Sequence, residues 1–293
     1  MRKFFMYFFA VTVIAVIFAV PCTATEPADF EEFETEVFFR RVKEVELPIV
    51  MYHLVTEKPK YIGKYGISPA ELEADLKFLK ENKYNTVVMQ DLIDFVNSGK
   101  QLPDNPVMLT FDDGNASDYH ILLSLLQEYD MKAVLAVLGS ASDKCTADAE
   151  KNPKAKYPNL TWPQIIELHE SGHAEIQSHS YDMHKAPLGS SNKRGEDPGA
   201  YHARLLSDLQ KFQDACATHL NYVPTTFVYP LGAMGKNSRE VLEELGMVAS
   251  ISCQEGLNVI RQGDKDCLFK LLRTNRPSGR SIGDVLKSIN VAK

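Results

Sequence analysis

Several signatures are missing from this chain, and each absence removes a class of function. Basic residues are not in surplus: 32 lysines and arginines stand against 39 aspartates and glutamates, a net charge of −7. That balance argues against nucleic acid or an anionic membrane surface as a partner. Cysteine is scarce, with five in 293 residues, and none of the spacings suits a zinc-cysteine site. There is no His-Glu-x-x-His helix of the zinc-protease kind. No internal repeat runs along the sequence, which sets aside solenoids and propellers.

What the chain does have begins with one long apolar run at its start. Phe4 through Val20 is apolar except for Thr12, follows Met1-Arg2-Lys3 and leads into Pro21-Cys22-Thr23-Ala24. This is the order of an export signal, and residues 1–24 are read as one. Seventeen residues are also close to a membrane span, so an uncleaved anchor is the alternative and the only route to a membrane. Either way the protein is expected outside the cytoplasmic membrane, secreted or held at its outer face. Residues 25–46 hold eight acids and three bases and read as a solvated spacer, with Phe30, Phe33, Phe38 and Phe39 as possible docking points. Export permits disulfides, and Cys253 and Cys267 flank a connection that could bring them together; buried free thiols are the alternative.

Residues 47–293 are long enough for one large α/β domain or two small ones, and 44% hydrophobic residues can fill a sizeable core. Strand and helix patterns alternate. Leu47–Tyr52 reads as a strand. Ser68-Pro69-Ala70-Glu71 is a capping box with proline at the first helical position. Short helices are expected over 91–97 and 118–129, strands over 107–111 and 133–138, and a surface loop over 140–160. Beyond Thr161 come a helix to Glu170, a strand near 174–177, a loop over 185–199 and a long helix over 201–220. Strands over 225–229, 247–252 and 268–272 and helices over 238–245 and 281–290 complete the chain. This alternation indicates parallel βαβ units.

Three pieces carry chemistry. Val107-Met108-Leu109-Thr110-Phe111 is a buried strand that ends in Asp112-Asp113-Gly114. Side chains alternate faces along a strand, so adjacent carboxylates can take different targets, one a metal and one a water. Taken alone the tripeptide is an ordinary turn. His179-Ser180-Tyr181-Asp182-Met183-His184 follows a second short strand. Two imidazoles in one loop, with one aspartate, make a donor set that leaves coordination positions open. Alone, such a pair is more often solvated. The third piece, Phe227-Val228-Tyr229-Pro230-Leu231-Gly232, is a strand that breaks into a Pro/Gly turn.

In this order the three pieces resemble the polysaccharide deacetylase family, the carbohydrate esterases built on the NodB-type domain. Leu47-Pro48-Ile49-Val50-Met51-Tyr52-His53 is similar to the Met-Tyr-His strand of the branch that includes the poly-N-acetylglucosamine deacetylases. The resemblance covers residues 47–293, with the NodB-like core over about 105–293. It implies a single catalytic domain of α/β class, a distorted (β/α) barrel with fewer than eight strands, and a monomer acting on an acetylated polysaccharide. By the same resemblance Asp113, His179 and His184 bind a divalent metal, zinc by preference, and Asp112 is the general base. The Leu231 N–H is the oxyanion donor, and His53 the acid for the departing amine. Because an amide anion cannot be expelled, an acid is needed opposite Asp112, and His53 is expected on the side of the metal away from that base.

The chain departs from the pattern in three places, one of them the His179–His184 spacing, a residue wider than the common His-Ser/Thr-x-x-His form and like that of the biofilm poly-N-acetylglucosamine branch. Many members carry arginine at the position of Val228, where it orients the base, and a late Leu-x-Leu-His histidine. The local counterpart of the latter is Leu271-Leu272-Arg273, which places Arg273 near the site without fixing its role. Two other functions stay open: an esterase removing O-acetyl groups from xylan with the same metal donors, and a non-catalytic glycan-binding protein. The loops 54–66 and 185–199 are expected to decide the polymer.

Overall fold

In the computed structural model, residues 43–291 are described; the N-terminal apolar run, and the spacer up to residue 42 with its four phenylalanines, lie outside them. In chain order the strands are β1 (Glu44–Leu47), β2 (Ile49–Tyr52), β3 (Leu54–Val55), β4 (Gly66–Ile67), β5 (Asn85–Thr86), β6 (Pro106–Asp113), β7 (Ala133–Val137), β8 (Ala174–Ser178), β9 (Thr226–Val228), β10 (Ala249–Ile251), β11 (Asn258–Arg261) and β12 (Thr274–Asn275). The helices are α1 (Pro69–Glu81), α2 (Met89–Ser98), α3 (Leu123–Tyr129), α4 (Gly139–Lys151), α5 (Trp162–Glu170), α6 (Pro198–Leu220), α7 (Ser238–Glu244) and α8 (Ile282–Val291).

Seven strands form the main parallel sheet in the order β10-β9-β8-β7-β6-β2-β12, and β5 adds an eighth by pairing only with the first residues of β6. The sheet curls until its edges meet: Leu271 bridges Ile251 beside β10, while Thr274 and Asn275 pair with Val50 and Met51 of β2. Residues 271–275 therefore close the ring.

Sequence and structure agree where local signals are strong. Ser68 caps α1 by accepting from the Glu71 N–H, and Glu71 returns a bond to the Ser68 N–H. Trp162, Ile165 and Leu168 of α5 pack against β8 and β7 in the outer core, which also takes Leu72, Leu76 and Leu79 of α1. Inside the ring, Ile49, Met108, Val134, Ala136, Val228, Ile251 and Leu271 join the apolar face of α2.

Three elements differ from the sequence reading. Residues 139–151 form α4 rather than a loop, although only Gly139, Ser142 and Cys145 of that helix are buried. The expected strand over 268–272 is a short helical turn ending at Leu268, followed by the lone bridge at Leu271, because Lys270 at φ 60° breaks the extended run. Glu44, Val45 and Glu46, grouped above with the spacer, lie in β1, which pairs antiparallel with β11. All four cysteines in the described part are free, so Cys253 and Cys267 form no disulfide. Among the described residues no helix is long and apolar enough to cross a membrane.

Candidate active site

Strand alternation decides which side chains enter the barrel. Along β6, Val107, Leu109 and Phe111 pack outward under the helices, while Met108 faces the interior. Thr110 and Asp112 share the Met108 face. On β2, Val50 and Tyr52 are outward and Ile49 inward, which puts Met51 and then His53 on the inner side. On β8, Ala174 and Ile176 are outward, and His179 follows on the inner register. His53, Asp112 and His179 thus meet at the C-terminal ends of parallel strands, where barrels of this class build their sites.

Asp113, His179 and His184 converge. The Asp113 Oδ1 lies 3.6 Å from His179 Nε2 and 3.3 Å from His184 Nε2, and all three donor atoms fall within 4.8 Å of one another. A tetrahedral cation with bonds of about 2.0–2.2 Å needs donors about 3.3–3.6 Å apart, and both separations from the Asp113 oxygen fit. The His179 Nδ1–H donates to the Val228 carbonyl at 2.8 Å, leaving the Nε2 lone pair free toward the site. Burial lowers the His179 pKa, against the pull of Asp112 and Asp113, which keeps the ring neutral as a ligand must be. Asp113 Oδ1 is buried with no hydrogen-bond donor among the described residues. An orphaned carboxylate oxygen facing two imidazole nitrogens is what a shared cation explains.

Asp112 lies beside this cluster, fully buried, and Arg273 grips it with two bonds of 2.7 Å, Nη1 to Oδ1 and Nη2 to Oδ2. Arg273 is itself buried, and its Nε donates to the Ser252 carbonyl at 2.7 Å while Nη1 also reaches Thr110 Oγ1 at 3.2 Å. Burial alone would raise the Asp112 carboxyl; the Arg273 charge, and then that of His179, hold it well below the usual carboxylate range. The arginine that the resemblance led one to seek at Val228 on β9 is supplied instead from residues 271–275, on the far side of the neighbouring β10. Val228 remains an apolar inward side chain, and residues 271–275 bring the guanidinium in.

His53 lines the cleft but stands next to Asp112, with Nε2 3.9 Å from Oδ2, rather than on the far side. Its ring leans on Tyr65 at 4.8 Å between centroids. Burial lowers its pKa, opposed by Asp112 and Asp113, so the neutral ring is the resting form. Leu231 lines the same cleft at φ 59°, a conformation that a branched side chain rarely takes. Asp113 and Ser180 also have positive φ, 76° and 82°, so three strained residues gather at one rim, as they do at functional sites. Asn115 and Asn159 fix the turn by donating to the Asp112 and Asp113 carbonyls at 3.1 and 3.0 Å.

The cleft encloses about 830 Å³. The loop over 54–66 forms one wall through residues such as Lys60, Tyr61, Lys64 and Tyr65, and Cys253 and Glu255 also line it, whereas no residue of 185–199 does. Sequence reasoning missed the tyrosines as site residues; their only signal was membership of a loop next to His53. It also missed Asp118, a buried acid five residues past Asp113 whose pKa burial raises, with the Asn115 backbone opposing the shift only in part.

A parallel barrel carrying an Asp/His/His donor cluster and an arginine-clamped aspartate at its C-terminal rim is the arrangement found here. The profile of the polysaccharide deacetylase family matches residues 99–250. The chain belongs to that family. A poly-β-1,6-N-acetyl-D-glucosamine N-deacetylase of Escherichia coli is 26% identical over 249 residues, covering 78% of this chain and 37% of the relative, so the chain spans well under half of that protein. A putative polysaccharide deacetylase of Bacillus subtilis is 24% identical, covering 88% of this chain and 82% of its own length. Among solved structures, a de-N-acetylase from Aggregatibacter actinomycetemcomitans superposes with a TM-score of 0.68 at 25% identity, covering 83% of this chain and 99% of that one. IcaB from Ammonifex degensii shares the fold at a TM-score of 0.65, with 22% identity over 82% of this chain and 95% of that one.

Proposed function

We propose that this protein is a metal-dependent hydrolase that removes N-acetyl groups from an N-acetylglucosamine polysaccharide outside the cell, acting as a monomer exported by residues 1–24. The observation that carries this reading is the convergence of Asp113, His179 and His184 beside an Asp112 that Arg273 holds ionised. The two-imidazole, one-carboxylate set suits zinc, which when bound would polarise the acetyl carbonyl and acidify a water.

The chain's own groups then divide the work. Asp112, fixed in orientation by two bonds, takes the proton of the attacking water. The Leu231 N–H donates to the oxygen on which negative charge develops. The amine cannot leave as an anion, so it needs a proton. His53 rests neutral, and Asp112 lies 3.9 Å from its Nε2. Across that gap one bridging water can carry the proton that Asp112 collects to His53, which delivers it to the nitrogen, so the step balances without an outside acid.

The deciding experiment is acetate release by the full chain from N-acetylglucosamine oligomers and from acetylated xylan, before and after stripping with a chelator and restoring zinc. Zinc-restored release from the glucosamine oligomers alone is expected. Release from xylan alone would replace this reading with an O-acetyl esterase, and no release with metal bound would leave a glycan-binding protein.

A further inference from the structure

Exposed large apolar side chains are not scattered over this molecule. Among the described residues there are five, and three of them, Tyr61 and Tyr65 at 50% and Leu231 at 45%, line the active-site cleft. Apolar surface gathered in a groove marks a place where a ligand covers it. Tyr65 is also fixed from behind: its ring packs on His53, the adjacent Lys64 carbonyl accepts from the Asn275 amide at 2.7 Å, and the Gly63 carbonyl accepts from the Ser278 N–H at 2.9 Å. A loop tied to residues 275–278 at these points presents its tyrosines as preformed surfaces, which lowers the ordering cost of binding.

Within the stretch 58–65 of this loop the charged side chains are all lysines. The Lys60 ammonium lies 4.6 Å from the centre of the Tyr61 ring, and that of Lys64 lies 4.9 Å from the centre of Tyr65. Glu255 faces them as the acid outside the catalytic cluster that lines the cleft. Each platform thus offers an apolar ring with a cation on it. A pyranose ring with a neutral acetamide can lie on such a surface; a glucosamine ring, carrying an ammonium, meets a like charge.

We propose that the 58–65 loop reads the sugars on either side of the one being deacetylated. In this assignment Tyr61 and Tyr65 stack neighbouring rings, and Lys60 and Lys64 select neighbours that still hold their acetyl groups. The inference rests on the deacetylase reading above and adds a consequence to it: product sugars are poor neighbours, so acetyl groups are removed at spaced positions and not in blocks.

The test compares kcat/KM on a fully N-acetylated glucosamine pentasaccharide with that on the same oligomer carrying one glucosamine beside the target sugar. The full chain is expected to prefer the fully acetylated oligomer about 3–10-fold at low salt, with the preference fading at 0.5–1 M salt, roughly where screening lengths fall to a few ångströms. The K60Q/K64Q variant should lose the preference, the ratio of kcat/KM on the two oligomers falling to about one whatever the absolute rate on either. Tyr61→Ala should raise KM with kcat held, as loss of a stacking surface remote from the chemistry requires. An unchanged preference in K60Q/K64Q, or none in the natural chain, with acetate still released, overturns the loop assignment alone. No acetate from either oligomer overturns the deacetylase reading and the assignment with it.

Discussion

Replacing Arg273 with methionine removes the only basic side chain in hydrogen-bond contact with Asp112 among the described residues and leaves that carboxylate in the barrel interior. Arg273 is fully buried and Asp112 nearly so, and the two share a pair of 2.7 Å bonds. Breaking a buried pair from one side typically costs about 3–5 kcal/mol, because the remaining charge keeps its desolvation penalty without its partner. The lost bond to the Ser252 carbonyl adds to this. Urea unfolding of the chelator-treated protein at pH 7 measures the loss, and the pH dependence identifies its source. In the natural chain Asp112 titrates below its unfolded value of about 3.9, so its contribution is present above that value and is lost as pH falls through the folded pKa. In Arg273→Met the largest opposing charge is gone and burial raises the folded pKa, so the variant loses stability as pH climbs from 4 toward 7. The gap between the two proteins should therefore widen with pH over that range and narrow toward pH 3. Asp112→Asn combined with Arg273→Met should recover most of the loss, a coupling of roughly 2–3 kcal/mol. A single-variant cost below about 1 kcal/mol, or additive behaviour in the pair, would refute the claim that ionic pairing holds Asp112 in place.

Asp112→Asn alone should retain metal by elemental analysis yet lose about 10²–10⁴-fold in deacetylation, the usual value of a general base; near-normal turnover would remove Asp112 from that role. His53→Ala should slow amide cleavage far more than hydrolysis of an aryl acetate, whose leaving oxide needs no prior proton, and equal losses would make His53 a structural or binding residue. Asp118→Asn should raise the Tm at pH 7 and flatten the decline in stability with rising pH. The cause is that burial raises the Asp118 pKa, so the natural chain must hold a proton there that the unfolded chain releases. A lower Tm in that variant would mean that the carboxylate is charged and partnered.

The motif strands were legible because their signals are local: an apolar run, then the ligands, then a turn. The helix α1 announced itself through its cap, and α5 through Thr161-Trp162-Pro163-Gln164. What escaped was whatever depends on distant partners. Helix α4 has a polar sequence with little of its surface in the core, so no periodicity distinguished it from a loop. In β1 only Leu47 is fully buried, and its partner β11 lies more than two hundred residues away, so neither half reads as a strand on its own. Arg273 could be placed near the site by its position after Leu271-Leu272, but its grip on a residue 161 positions earlier is a fact of barrel closure. The side on which His53 stands was misjudged for a related reason: β2 and β6 are direct neighbours in register, Tyr52 opposite Phe111, so the residues that follow them are neighbours as well.

Closure by residues 271–275 sets a timetable for the molecule. A ribosome releases Asp112 and both histidines long before it releases Arg273, yet the carboxylate has no cationic clamp until that last crossing is laid down between β10 and β2. A chain stopped between His184 and Arg273 would hold the donor cluster's residues but an interior acid that favours its proton. Completion of the barrel and the ionic clamping of Asp112 are therefore one event.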